Sequence, residues 1–346
     1  MFLKLPTEER SEKIDFLRGS AVFFMLATHI NVVFVKEYTY ILDRLTWWGA
    51  TVSFSVFLFC FAYIYGLKLS DTKKLSREKQ VKRIFLLLFI YYITTFFSHF
   101  FLFNSISIDE LQSILTFQYL PLFTEFIIPF FLYTILILIF YPVLKKMLNR
   151  PILFIIISLI IYFLGGWLYM LDGMGNFLNV VKTLMVGNGH IHSYGVISYF
   201  PIFVLGFIAG GTQKNSEGNS STLSMFILCS ILFVFLKISG LSEWYRFPPS
   251  VLFLLYGVIY SFGVILLYKY IKRASILDKY FIFLGKRALF IFLINVLLIL
   301  GLSSFLNHEK FAVKTVLLLQ FLIITSISLV TYFYEKMAII WQREKI

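Results

Sequence analysis

Two side chains of the first apolar segment, Arg18 and His29, could carry acid–base or anion-binding chemistry. Their separation of 11 residues is about 20° more than three full helical turns, so in a helix both would point to one face, about 16 Å apart. Asp15 lies on the same stripe. An ionisable side chain inside a membrane span costs a few kcal/mol to insert, which makes these residues functional candidates.

Both residues also have structural interpretations. Arg18 could be an interfacial cation whose charged head reaches water, with Asp15 as its surface partner. His29 could be a neutral histidine that donates to a backbone carbonyl of a neighbouring helix. Their alignment on one stripe is what favours a functional role.

The amino-acid composition indicates the class of protein to which these residues belong. The 346 residues are 59% hydrophobic and 14% charged, and they include 42 Phe and 21 Tyr. Soluble domains carry about 25% charged residues, so the charged residues here are too few to cover a water-soluble surface. The composition excludes a soluble enzyme, a disordered chain and a disulfide scaffold. It predicts an all-α, polytopic membrane bundle that forms a single domain over residues 1–346.

Apolar runs predict the spans of this bundle. A bilayer core of about 30 Å needs roughly 20 apolar residues of helix, and lipid forces the backbone to pair internally. Ten such runs are present: Ile14 to Val35, Thr46 to Leu67, Lys82 to Phe103, Leu120 to Leu144, Ile152 to Leu171, Ile191 to Gly210, Leu223 to Gly240, Pro249 to Ile271, Tyr280 to Leu306 and Ala312 to Lys336.

The loops between these runs indicate the orientation. Most of the 31 Lys and Arg residues fall in alternate loops, which predicts that both termini are cytoplasmic. The net charge of +13 therefore reflects topology, and we expect no nucleic-acid partner. Between the fifth and sixth runs, residues 172–189 are expected to lie on the outer interface as a short helix or to re-enter the bundle. Gly206 and Gly210 are spaced as a small-residue packing face.

The first span resembles a known family. An arginine and a histidine separated by ten residues, within D-x-x-R-G, are similar to the opening signature of the acyltransferase-3 family of integral-membrane O-acyltransferases. Related heparan-α-glucosaminide N-acetyltransferase-like proteins belong to the same superfamily. A family R-x-x-R pair is approximated by Gln80 to Arg83. Where members often carry Ser, Tyr and His in the ninth span, this chain reads GKRALFIFLIN, with Asn295 at the histidine position.

The resemblance implies acyl transfer from cytoplasmic acyl-CoA, with acetyl-CoA expected, to a hydroxyl of an extracytoplasmic glycan or lipid-linked sugar. We expect His29 to act as general base, with a transient acetyl-imidazole as the alternative. Arg18 would position donor phosphate or polarise the site. Lys79, Lys82 and Arg83 could bind the anionic end of CoA, although orientation alone would also explain basic loops. No metal is expected.

Other polar residues are candidates for the acceptor side. Glu125 could orient His29 as a third catalytic group, or could simply reach interfacial water. His99 lies toward the outer end of the third span. His190 and His192 occur in an external GHIHS segment; they lack a third ligand at metal-site spacing and could contact the acceptor.

Two other functions stay open. The polar stripe could line the path of a non-enzymatic carrier or export component for envelope glycans, although no matched halves with broken helices are visible. An amino-sugar N-acetyltransferase would use much the same donor. We expect location in the bacterial cytoplasmic membrane, contact with membrane lipids, and partners in a glycan-assembly pathway.

Overall fold

The computed structural model describes residues 11–70, 76–103, 105–120, 123–171, 176–188, 194–212, 218–271 and 275–343. These residues are helical except for turns, short connections and bridge pairs such as that between Val35 and Phe311. The all-α prediction is confirmed. The helices are α1 (Glu12–Phe34), α2 (Tyr40–Ser70), α3 (Arg77–Phe103), α4 (Ile108–Leu115), α5 (Ile127–Leu148), α6 (Pro151–Tyr169), α7 (Asn176–Val186), α8 (Phe200–Thr212), α9 (Gly218–Ser239), α10 (Val251–Ile271), α11 (Ser275–Lys286), α12 (Ala288–Phe305) and α13 (Val313–Arg343).

Nine helices of the described part are long and apolar enough to cross a membrane: α1, α2, α3, α5, α6, α9, α10, α12 and α13. The polytopic prediction is therefore confirmed. The predicted sixth span, Ile191 to Gly210, is longer than the helix found in that region, which is the 13-residue α8. Residues 191–193 of that span lie outside the described part of the chain.

The predicted ninth span is broken. Arg287 has φ −119° and ψ 18° and separates α11 from α12, so one continuous helix from Tyr280 to Leu306 was the wrong prediction. Hydropathy does not detect this break, because the charged pair Lys286 and Arg287 is short and is flanked by apolar residues on both sides. The spanning helix of this region is α12.

Short helices add to the spans. α4 begins with a capping box, in which the Ser107 side chain accepts from the Glu110 backbone N–H and the Glu110 side chain accepts from the Ser107 N–H. α7 lies between the fifth and sixth runs, where a short interfacial helix and a re-entrant segment were the two expectations. α5 begins at Ile127, later than the predicted Leu120, so Glu125 lies in the turn before the helix.

The chain divides into two compact units. Unit 1 contains Met1–Ser53 and Tyr268–Ile346, and unit 2 contains Phe54–Leu267. In unit 1, α11, α12 and α13 all pack against α1. In unit 2, α3 packs on α4 and α5, and α6 packs on α5, α7 and α8. The first span thus packs against three helices from the other end of the sequence.

Glycines allow close helix contact in unit 2, as predicted for Gly206 and Gly210. A Cβ at Gly206 would lie 2.6 Å from the backbone oxygen of Phe59, and one at Gly210 would lie 1.9 Å from that of Tyr63. Only glycine fits at such distances, so the predicted packing face is confirmed, and the structure identifies α2 as the helix that packs on it.

Candidate active site

Helix α1 carries Arg18 where it crosses α11 in unit 1. A Cβ at Gly19 would lie 1.8 Å from the Phe281 backbone oxygen, and one at Gly285 would lie 1.8 Å from the Asp15 backbone oxygen. The two backbones are therefore in direct contact, and each helix supplies a glycine to the contact. This crossing brings the last turn of α11 beside Arg18.

Arg18 makes two contacts at this crossing. Its Nη1 atom lies 3.5 Å from Asp15 Oδ1 and donates to the Gly285 carbonyl oxygen over 3.4 Å. The Asp15 side chain is only 4% exposed and that of Arg18 is 17% exposed, so this is not a surface ion pair. The Gly285 carbonyl belongs to the last turn of α11, where carbonyls lack helical partners and a cation is favourable. Arg18 therefore fixes α1 to the end of α11.

His29 is held by a side chain that our sequence-based assignment of the site did not include. Its Nδ1 atom lies 2.7 Å from Asn295 Nδ2 of α12. Asn295 is fully buried, and His29 is partly buried. The resemblance placed Asn295 at a position where relatives often carry histidine, which was the available signal. The pairing itself joins residues 266 positions apart, so no local pattern predicts it.

A second buried amide lies near His29 on α1. Asn31 donates to Thr46 Oγ1 over 2.9 Å and accepts from Gln320 Nε2 of α13. Thr46 in turn donates to the Leu42 carbonyl oxygen over 2.7 Å. The end of α1 near His29 is therefore anchored to the first part of α2, to α12 and to α13 by side-chain hydrogen bonds.

The predicted cofactor-binding residues begin α3 in unit 2. Lys79 and Lys82 are exposed, and Lys82 forms an ion pair with Glu78. Arg83 is partly buried, and its guanidinium lies 4.8 Å from the centre of the Phe61 ring. The helix start thus presents two exposed ammonium groups and one guanidinium packed against an aromatic face.

His99, a predicted substrate-binding residue, is enclosed near the end of α3 in unit 2. The residue is 2% exposed, and its Nε2 atom lies 3.4 Å from Glu110 Oε2. This distance suits an ion pair if His99 is protonated, but within the described residues neither ring nitrogen has a partner with hydrogen-bond geometry. The Tyr119 ring packs edge-on against the imidazole, at 5.4 Å between centres.

The carboxylate of Glu110 predicts a pH dependence of α4. Hydrogen bonds from the backbone and side chain of Ser107 hold the pKa of Glu110 below its ordinary value, and His99 adds to this shift. Because the folded pKa is lowered, the ionised carboxylate stabilises α4 above the unfolded pKa of about 4.3, and this contribution is lost as the pH falls through the lower folded value.

We therefore expect amide hydrogen exchange in α4, corrected for its intrinsic pH dependence, to be constant above about pH 5 and to accelerate below about pH 4. The matched control is Glu110→Gln, which keeps an acceptor oxygen for the cap but does not titrate. An equal acceleration in that variant would contradict the assignment to Glu110.

Glu125 lies in a polar cluster of unit 2 that includes Tyr194, Tyr199 and Arg246. Arg246 Nη2 donates to the Tyr194 hydroxyl over 3.0 Å. Burial alone would lower the pKa of Arg246, but the two tyrosines and Glu125 reverse the direction and raise it. Glu125 therefore has a guanidinium and phenol hydroxyls in its surroundings, and its role beside His29 stays a prediction.

His190 and His192 lie outside the described residues. Within the described residues, no group of three or more His, Cys, Asp or Glu side chains could hold a metal ion. Of the predicted groups, the structure brings Arg18 onto Asp15 and Gly285, and it pairs His29 with Asn295. These contacts all belong to unit 1.

Comparison with known proteins indicates the class of reaction, which the geometry alone does not. No curated protein matches the chain significantly. The acyltransferase-3 family, described as an acyltransferase domain, matches residues 11–335, which is nearly the whole chain and includes both Arg18 and His29. With its nine apolar helices of spanning length in the described part, the chain belongs to the acyltransferase-3 family and is an integral-membrane acyltransferase.

Proposed function

We propose that the protein moves an acetyl group from acetyl-CoA to a hydroxyl of an extracytoplasmic glycan or lipid-linked sugar, with His29 as the general base. The observation that carries this proposal is the fixed imidazole: in a chain of this family, His29 is partly buried on α1 and held by Asn295 at 2.7 Å. An imidazole titrates near neutral pH and suits proton transfer.

The proposed reaction uses the imidazole of His29 as follows. Asn295 occupies Nδ1, so the proton passes through Nε2. Nε2 takes the proton of the acceptor hydroxyl while the hydroxyl oxygen attacks the thioester carbon. The tetrahedral intermediate then breaks its C–S bond, and the departing CoA sulfur receives the proton from the imidazolium. Direct attack of Nε2 on the thioester, followed by transfer to the acceptor, is the covalent alternative.

We assign the basic residues to the donor. A guanidinium has five N–H groups, so the contacts of Arg18 with Asp15 and Gly285 leave N–H groups for a phosphate of CoA. Exposed Lys79 and Lys82, with Arg83, would hold the nucleotide end. Glu125 and His99 are assigned to the acceptor side. This arrangement requires cytoplasmic termini. We assign the protein to the bacterial cytoplasmic membrane, because its acceptor would lie outside the cytoplasm, and we expect enzymes of glycan assembly as partners.

The function is tested with purified protein in proteoliposomes. Radiolabelled acetyl-CoA is added outside, hexose oligosaccharides are enclosed inside, and both thiol release and label on the oligosaccharide are measured. We expect protein-dependent thiol release and label that mild alkali removes, because an ester is cleaved under those conditions. A parallel preparation encloses glucosamine oligosaccharides, which also offer amino groups, and alkali-stable label on these would indicate N-acetylation. The absence of both thiol release and label transfer would overturn the proposal and favour a carrier.

The donor assignment gives a separate prediction. Replacing Lys79 and Lys82 together by alanine is expected to raise the KM for acetyl-CoA about tenfold, with kcat unchanged, because two charge-assisted contacts to phosphate are together worth about 1.4 kcal/mol in this exposed setting. The steady-state kinetics of thiol release give both constants.

The matched control replaces Lys145 and Lys146 by alanine. These lysines are also exposed, lie in the last turn of α5, and are predicted on the same side of the membrane. The control removes the same charge, so an equal rise in KM would assign the effect to general electrostatic attraction and contradict a local donor site.

A further inference from the structure

The buried amide of Asn295 is placed to control which nitrogen of His29 carries the proton. Asn295 is fully buried on α12, among the buried apolar residues Ile291, Phe292 and Val296. Its Nδ2 atom lies 2.7 Å from His29 Nδ1, while its Oδ1 atom is buried and has no hydrogen-bond partner among the described residues. One end of this amide therefore meets the imidazole, and the other end makes no competing hydrogen bond.

The two ends of the amide favour different forms of the ring. If Nδ2 faces the ring, it donates to an unprotonated Nδ1, and the neutral imidazole must carry its proton on Nε2. If Oδ1 faces the ring, it accepts from Nδ1–H, and Nε2 keeps its lone pair. The two amide orientations have the same shape, so the chemistry of the ring decides between them.

A complete reaction cycle selects the second orientation. A base or nucleophile acting through Nε2 needs a lone pair on that atom, which requires the proton on Nδ1. Once Nε2 has taken a proton, both ring nitrogens carry N–H, and an amide NH₂ group would then face another donor. Only Oδ1 can stay bonded to Nδ1–H in both the neutral and the protonated state of His29.

Turning the amide breaks no other hydrogen bond of Asn295 within the described residues. Oδ1 has no hydrogen bond to lose, because it lacks a partner in the described part of the chain. Nδ2 would give up only its contact with His29, which Oδ1 replaces at the same place. The neighbouring amide of Asn31 differs, since both of its ends are engaged, by Thr46 and Gln320.

We propose that Asn295 is a positioning residue, which turns its carbonyl oxygen toward His29 Nδ1–H and thereby keeps Nε2 basic for acyl transfer. The inference rests on the proposed role of His29. It assigns to α12 a part in the chemistry of α1, and it gives a neutral amide the place that a carboxylate takes in a Ser-His-Asp triad.

The first test reads the tautomer directly. The ring nitrogens of histidine are labelled with ¹⁵N in the full-length protein in lipid, and the His29 signals are identified by their loss in His29→Gln. We expect Nδ1 to be protonated and Nε2 unprotonated in neutral His29. Asn295→Asp, which can only accept, should keep that pattern, whereas Asn295→Leu should move a large share of the population to Nε2–H.

The second test uses the rate of transfer. Asn295→Leu is expected to lower kcat about 100-fold, with the KM for acetyl-CoA changed less than twofold, because the tautomer is no longer held. Asn295→Asp should recover activity to within about tenfold of the wild type. Gln320→Leu is the control, since it removes a buried amide contact of the same unit without touching His29, and its His29 signals should match the wild type.

The outcomes separate this inference from the function itself. Protonated Nε2 in the neutral wild-type ring, or an unchanged tautomer in Asn295→Leu, overturns the inference even if His29 proves essential. A fully active His29→Ala protein overturns the proposed role of His29 as general base, while the nitrogen signals of the wild type still report whether Asn295 holds the ring. Asn295 would have a structural role alone if three results coincided. Both Asn295 variants would fail to fold, the Gln320→Leu protein would be normal, and the wild-type His29 ring would be protonated on Nε2.

Discussion

Replacement of His29 by alanine is expected to lower kcat for acyl transfer about 10²- to 10⁴-fold, the range that a positioned general base supplies. The variant removes the imidazole and leaves Arg18 and its contacts in place, so the KM for acetyl-CoA should change little. Initial rates of thiol release and of label transfer measure both effects. The substitution removes the hydrogen-bond partner of the Asn295 amide. Gel filtration must therefore first show that the variant is folded and monodisperse.

A matched histidine control is available in the same unit. His308 follows α12, is exposed, and lies 3.1 Å from Ser303 Oγ through its Nδ1 atom. Its φ is 60°, so the control is His308→Asn, because asparagine tolerates this conformation. We expect this variant to transfer acetyl at the wild-type rate. Wild-type activity in His29→Ala would remove the general base from the mechanism.

Substitution of Gly19 by alanine is expected to disrupt the packing of α1 against α11. The new Cβ would lie 1.8 Å from the backbone oxygen of Phe281, and a backbone atom cannot move away as a flexible side chain can. Overpacking in a core costs about 1–3 kcal/mol, and a direct clash with backbone belongs at the upper end or beyond. We expect a clearly lower melting temperature in detergent. We also expect a loss of activity, because Arg18 precedes Gly19 in α1 and lies at the same crossing.

Gly166 provides the comparison for this prediction. It lies in α6, and a Cβ there would meet no atom within 4 Å. Gly166→Ala should therefore leave the melting temperature unchanged or raise it slightly, since alanine favours helix more than glycine does. Equal stability of the Gly19→Ala and Gly166→Ala proteins would mean that α1 and α11 do not touch as described.

Hydropathy predicted the helical membrane architecture because the physical cause is local. A run of about 20 apolar residues in lipid must satisfy its own backbone, and a helix does so within the run. The same reasoning failed where the run is interrupted by few residues: the charged pair Lys286 and Arg287 ends α11, and hydropathy averages it into its apolar neighbours. α4 also escaped prediction, since its eight residues are too few to form a span.

The candidate site was only half predictable for a related reason. The helical period places Arg18 and His29 on one stripe, which is a property of α1 alone. Their partners, Gly285 and Asn295, come from α11 and α12, and such contacts depend on how distant helices pack. One of the two interpretations of the sequence placed Asp15 at the surface as the partner of Arg18. It is buried because α11 crosses directly over it at Gly285.

The hydrogen bonds of Asn31 and His29 have a consequence for biogenesis. α1 is synthesised first, yet its amide at Asn31 depends on Gln320, 289 residues later, and the ring of His29 depends on Asn295. During translation these polar groups sit in a helix whose final neighbours do not yet exist, and unpaired polar groups in lipid are costly. A chain truncated before α12 would therefore carry a first span in which His29 lacks Asn295 and Asn31 keeps Thr46 but lacks Gln320.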